Sequence, residues 1–141
     1  MFNFKLVALS GTKFNADVYE VILPTLDGQI GVLAHHMPLI SAVTNGVIIV
    51  RHSAKEHDSL RDFFATNGGV ILVENNTLRV LVDEADHADD INEAEAKDAL
   101  ARAKKLRSEA KDQISLEKAQ SLVDRHDVRL KVTAMRRRTR R

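Results

Sequence analysis

Residues 69–100, "GVILVENNTLRVLVDEADHADDINEAEAKDAL", change character partway through. Up to Ala85 the stretch holds two β-rich runs around Asn75-Asn76, a pair that tolerates positive φ and so suits a hairpin turn. From Asp86 onward it is acidic and rich in alanine, with nothing to interrupt a helix. All six glycines, both prolines, the five phenylalanines and the one tyrosine lie at or before Gly69. The boundary between a sheet-forming part, 1–86, and a helix-forming part, 87–141, is therefore placed between Asp86 and His87.

Working back from the hairpin, the first part reads as short strands between turns. "FKLVAL" (4–9) precedes a Ser-Gly-Thr turn, "ADVYEVILP" (16–24) stops at Pro24, and "GQIGVLA" follows Asp27-Gly28. "GVIIVRH" (46–52) follows Thr44-Asn45, and "RDFFATN" (61–67) runs into Gly68-Gly69. Roughly seven strands at such spacing predict a β-sandwich or barrel.

Working forward, Asp89 and Asp90 sit where helix N-terminal amides favour carboxylates. Ile91, Ala94, Ala99, Ala103, Leu106 and Ala110 form a narrow stripe that lets another helix approach closely. After a break near "SEAKDQIS", with Ser115 as the expected cap, Leu116, Ala119, Val123, His126 and Leu130 recur at the spacing of a paired helix. "HDVRLKVT" (126–133) also alternates as a strand would, but the heptad-like spacing runs through it and predicts helix. Helices of about 20 residues are marginal in water until their stripes are covered, so an antiparallel helical hairpin packed on the sandwich is expected.

The 141-residue chain carries 21 Lys+Arg and 20 Asp+Glu, a net charge of +1. The sum hides an asymmetry: residues 1–86 hold 6 basic and 10 acidic side chains, a charge of −4, and residues 87–141 hold 15 and 10, a charge of +5. The end, "RRRTRR", fits nucleic acid, anionic lipid or an acidic protein surface, and its sign does not choose among them. There is no cysteine, which excludes disulfides and thiolate chemistry. No apolar run approaches the roughly 18 residues of a membrane span and no leader pattern opens the chain, so a soluble, unprocessed protein is expected.

Catalytic and metal patterns are missing. His35 and His36 are adjacent, which in extended chain sends their side chains to opposite faces, and no ligand-spaced partner completes a shell. There is neither a G-x-S-x-G elbow nor a Walker loop. Arg125 and Arg129 lie one turn apart and Arg102 lies on the preceding helix, so a hairpin could gather three guanidiniums on one anion. The simpler reading is a solvated face paired with Asp124 and Asp127.

With these residues in view, the chain resembles the epsilon subunit of bacterial F-type ATP synthases. "GQIGVLAHHMPL" is similar to the family's glycine loop and His-x-Pro-Leu turn, with Gly28, Gly31, His36, Pro38 and Leu39 in register. "TNGGVILVENNTLRVLVDEADHADDI" is similar to its double-glycine strand and hairpin, and "INEAEA" (91–96) to its helical Ile/Leu-Asp-x-x-Arg-Ala motif. The resemblance implies an α+β fold: an N-terminal antiparallel β-sandwich of about ten strands, then a C-terminal antiparallel helix-turn-helix.

The resemblance also implies a function. The expected protein is a non-catalytic central-stalk subunit that couples the gamma shaft to the c ring in proton-driven ATP synthesis, peripheral on the cytoplasmic face of the bacterial membrane. Gln29, where the family has an acid, and His36 are expected in the c-ring docking loop. The tail, Arg136, Arg137, Arg138, Arg140 and Arg141, is expected to meet an acidic loop of the beta subunit and restrain hydrolysis on the alpha and beta subunits. Asp86, Asn92, Arg102, Arg125 and Arg129 match positions at which some members hold ATP. Asn92 replaces the motif Asp and Glu95 its Arg, which sets an anion where a cation would face the polyphosphate. Weak or absent ATP binding, no required cofactor, no metal and no nucleic-acid partner are the resulting expectations.

Overall fold

A computed structural model describes residues 1–140. Eight strands come first: β1 (Phe2–Ala8), β2 (Gly11–Val18), β3 (Glu20–Thr25), β4 (Gly28–Leu33), β5 (Leu39–Arg51), β6 (Asp62–Glu74), β7 (Thr77–Val82) and β8 (Ala85–His87). Two helices follow, α1 (Glu93–Glu109) and α2 (Gln113–Thr139), and short 3₁₀ turns occupy Asp58–Leu60 and Ala88–Asp90.

The strands hydrogen-bond in the order β2-β1-β7-β6-β5-β3-β4, with β8 on β6. Two layers arise because β5 and β6, 13 residues each, serve both. Their halves 39–43 and 69–74 extend the β2-β1-β7 layer, and their halves 46–51 and 62–67 pair with β3 and β8. The buried side of each strand changes parity between the halves: Val43 and Ile71 face the core from one layer, Ile48 and Phe64 from the other. With Phe4, Leu6, Leu23 and Leu78, all fully buried, these side chains close the space between the layers. Burying each Phe or Leu stabilises the fold by about 1.5–3 kcal/mol.

This continuity corrects the expected strand count. The sequence placed turns at Thr44-Asn45 and Gly68-Gly69, yet the chain stays paired through both, so eight continuous strands form, between the roughly seven read from the residues and the about ten implied by the resemblance. Gly69 sits so close to β7 that a β-carbon there would lie 2.8 Å from Val82 Cα and inside the carbonyl of Leu81, and Gly68 adopts φ +117°. The two glycines let one strand change layer, a role that a turn-former in a strand commonly signals. Conversely "ADVYEVILP" is broken at Tyr19, whose N–H donates to the Arg51 carbonyl at 2.9 Å. The sandwich is not wholly antiparallel either, since β1 and β7 run parallel. The Asn75-Asn76 hairpin forms as expected, with φ of 50° and 58°. Sheet pairing runs to His87, one residue past the expected boundary.

The helices differ from expectation mainly at their ends. Asp112 rather than Ser115 caps α2, its Oδ1 accepting the Ser115 N–H at 2.7 Å. That contact, with the Ser115 hydroxyl, holds the Asp112 carboxyl below its ordinary range. Asp89 and Asp90 belong to the 3₁₀ turn, and Asn92 caps α1 by accepting the Glu95 N–H at 3.1 Å. In α1 the buried alanines are Ala96 and Ala103; Ala94 and Leu106 are exposed. The stretch 126–133 is helical. Its alternating Val128, Leu130 and Val132 have an outlet after all, because α2 packs on the sheet as well as on α1.

Candidate functional site

The sandwich presents two unlike outer faces. On the β3/β8 side, Val47, Ile49, Phe63 and Ala65 point away from the sandwich core and are buried under Ala88, Ile91, Ala96, Val128, Val132 and Met135. The hairpin therefore lies folded against this layer. On the other layer the outward side chains remain uncovered. Cross-strand register aligns Val7, Leu81, Val70 and Ala42 in one row and Lys5, Arg79, Leu72 and Ile40 in the next. Ile40 is 79% exposed, Leu81 43% and Val70 42%. An apolar row on an open sheet marks an interaction surface. The sequence carried a signal for it: "VILV" (70–73) and "VLV" (80–82) are apolar at consecutive positions, as a strand needing cover on both sides would be.

The two residues expected in the docking loop are not brought together. Gln29 opens β4 opposite Pro24 and lines a cleft of about 280 Å³ with Gly46, Val47, Lys131 and Met135. His36 follows the far end of β4, with its N–H on the Leu33 carbonyl and Nδ1 2.7 Å from the Met37 carbonyl. From Gln29 to Leu33 alone is about 13 Å of extended chain. His35 takes φ 62° beside the Asn75-Asn76 turn, its N–H donating to Asn76 at 2.7 Å. The histidine pair is turn structure.

The arginines on the helices do converge, with partners other than Asp124 and Asp127. Arg125 pairs with Glu84, and Arg129 Nε lies 3.6 Å from Asp86. These four line one small crevice, and Arg102, Arg129, Glu95 and Asp98 line a neighbouring groove of about 400 Å³. Asp124 instead accepts from Gln120. Asn92 is committed to capping α1. Arg125 and Arg129 are thus matched by the chain's own carboxylates, and Arg102 shares its groove with Glu95 and Asp98.

His126 lies among these cations. Burial lowers its pKa from the ordinary 6.5, and Arg125, Arg129 and Arg102 lower it further against a smaller opposing effect of Glu84. Because the folded state binds this proton less readily than the unfolded chain, the contribution is favourable above pH 6.5 and is lost as pH falls below it. Urea midpoints measured between pH 8 and pH 5 are expected to fall with acidity less steeply in a His126→Gln variant; equal slopes would remove His126 from this effect.

The basic tail is engaged internally. Arg136 bonds to Asp89 through both Nε and Nη2 at 3.2 Å, and Arg140 reaches the same carboxylate at 3.2 Å. Arg137 pairs with Glu93 at 3.3 Å. Arg138 is exposed. Arg141 lies outside the described residues. Among the described residues there is no His/Cys/Asp/Glu group with metal-holding geometry and no helix long and apolar enough to cross a membrane.

Comparison with known proteins agrees with this architecture. Residues 1–88 match the family described as the ATP synthase delta/epsilon chain, beta-sandwich domain. The ATP synthase epsilon chain of Gloeobacter violaceus is 35% identical over 127 residues, covering 90% of this chain and 92% of that one. The chloroplastic epsilon chain of Oltmannsiellopsis viridis is 43% identical over 99 residues, covering 70% and 72%. A chain in a cryo-EM structure of the Euglena gracilis mitochondrial ATP synthase, OSCP/F1/c-ring, shares the fold at a TM-score of 0.73 and 18% identity, covering 88% of this chain and 76% of that one. A chain of the Tetrahymena thermophila central stalk and c ring does so at 0.60 and 14% identity, covering 93% and 95%. The matched sandwich, the helical hairpin that follows it and relatives spanning nearly the full length place this chain in the ATP synthase delta/epsilon chain family, as an epsilon chain.

Proposed function

We propose that the chain works as a non-catalytic central-stalk subunit that joins the gamma shaft to the c ring during proton-driven ATP synthesis, and that its helical hairpin restrains ATP hydrolysis by the alpha and beta subunits. The observation that carries this reading is the contrast between the two sheet faces. One is closed by the chain's own helices; the other keeps Val7, Ile40, Val70, Leu72 and Leu81 for a protein partner, and gamma is the partner assigned to it. Gln29 and His36, at the two ends of β4, are the candidates for contact with the c ring. The membrane is reached only through the assembled complex, at its cytoplasmic face.

The braking role is assigned to the tail, Arg136 to Arg141, against an acidic beta-subunit surface. It is tested by reconstituting the alpha, beta and gamma subunits with the full chain or with a chain ending at Asp90, a site chosen because β8 and His87 belong to the sheet. Assembly with faster hydrolysis after truncation is the expected result. Assembly with unchanged hydrolysis would leave the coupling role and remove the brake. Since truncation uncovers Phe63 and Ile49, a chain ending at Met135 is the companion variant.

ATP is not assigned as a ligand. Glu84, Asp86, Glu95 and Asp98 already surround Arg102, Arg125 and Arg129, and a polyphosphate would have to displace or approach these anions. Calorimetric titration of the isolated chain with ATP should show no micromolar binding, and a dissociation constant in that range would overturn the assignment.

A further inference from the structure

We propose that Arg136 and Asp89 form a latch that holds the hairpin folded and at the same time masks the basic tail from an acidic partner. The side chain of Arg136 is only 13% exposed, though it lies four residues before the last described position. Its fork is filled from two directions. Nε and Nη2 take both oxygens of Asp89 at 3.2 Å, and Nη1 donates to the carbonyls of Arg61 at 2.7 Å and Ser59 at 3.3 Å. Asp89 is itself fixed, because its N–H donates to His87 Nδ1 at 3.0 Å at the start of the 3₁₀ turn. A guanidinium whose donors are committed to a carboxylate and two carbonyls cannot grip a second anion in the same geometry.

The arrangement goes beyond one pair. Asp89 also holds Arg140, and Glu93 holds Arg137, so three tail arginines are engaged in the folded position. α2 spans about 40 Å, and the latch closes its C-terminal end, beyond the apolar contacts of Val132 and Met135. Opening the hairpin therefore breaks these contacts, and a carboxylate-bearing protein surface is the chemistry that can take the place of Asp89. Charge-assisted bonds at a poorly exposed arginine are the kind that decide between two states of similar free energy. Arg137, 56% exposed with a single contact, is screened by solvent and contributes little.

The test uses the full chain, in which the absence of cysteine makes engineered labels unique. Spin labels at Lys55→Cys and Arg138→Cys, both exposed sites, report the distance between the 3₁₀ turn near Asp58 and the end of α2. The parent should show a predominant short population beside a minor longer one. Asp89→Asn should shift the ratio of folded to extended chains by roughly tenfold or more toward longer distances. Arg136→Gln should do at least as much, and Arg137→Gln less than about twofold. A distance distribution unchanged by both Asp89→Asn and Arg136→Gln would overturn the latch. The masking consequence rests on the brake proposed above and has its own readout: in the reconstituted enzyme Asp89→Asn should slow ATP hydrolysis, the reverse of ending the chain at Met135. Shifted distances with unaltered hydrolysis in both variants would uphold the latch and refute the brake.

Discussion

Replacing Gly69 by alanine is expected to lower the thermal midpoint of the isolated chain by about 10 °C or more, the largest stability loss of any single methyl group added to its sheet. The new β-carbon would fall within the van der Waals envelope of the Leu81 carbonyl and 2.8 Å from Val82 Cα. Both obstacles are backbone, so no side-chain rotation relieves them. Either β6 or β7 has to move, and with them the pairs Gly69–Val82 and Val70–Leu81 that define the layer. Overpacking of a well-filled site commonly costs about 1–3 kcal/mol, and a clash with backbone belongs at or above the top of that range. Gly31→Ala is the matched control: its β-carbon would meet only Glu20 Oε2 at 3.6 Å, an ordinary contact, and alanine is the better strand residue. Scanning calorimetry separates the two. Equal midpoints for Gly69→Ala and the parent would contradict the close approach of β6 and β7.

The second large effect concerns assembly rather than folding. Ile40→Lys together with Leu81→Lys should weaken association with gamma by about a hundredfold or more while leaving the unfolding midpoint nearly unchanged. Both side chains point outward from the uncovered layer, at 79% and 43% exposure, so lysine there meets water in the free chain. In a complex each would lose an apolar anchor, a loss of about 1.5–3 kcal/mol, and would bury an ammonium against an apolar surface. Retention of gamma at parental affinity in a pull-down titration would show that this face is not the docking face. The same substitutions on the covered layer, at Ile49 and Phe63, would instead destabilise the isolated chain, because those positions lie beneath α2.

Much of this architecture is local in origin, and local order is what a sequence displays. Confinement of every glycine, proline and aromatic residue to the first half made the division into sheet and helix legible. Asn75-Asn76 specified its hairpin because the two residues accept φ values of 50° and 58° that most others resist. Glycine read less reliably at Gly68-Gly69, where the pair resembles a turn in sequence and in fact permits a close crossing of two strands. Nothing within five residues of Gly69 reveals that Leu81 will press against it.

The arginine cluster and the tail show the same limit. Arg102, Arg125 and Arg129 were recognisable as one face of a hairpin from their helical spacing. Glu84, the partner of Arg125, was not, and Asp86, the partner of Arg129, was grouped with them only through the family resemblance, since both approach only when α2 lies on the sheet. Arg136 read as one of five equivalent terminal arginines; folding singled it out by placing Asp89 and two carbonyls around it, 47 residues away along the chain.

The sequence by itself thus determined the element types, the two-part organisation, the charge asymmetry and the family, because propensities, turn residues and motif spacing act over a few neighbouring residues. Only the tertiary structure decided which sheet face stays open, why Gly69 must lack a side chain, and which arginine closes the hairpin. Each of these depends on distances between segments remote in sequence, and those distances are set by packing.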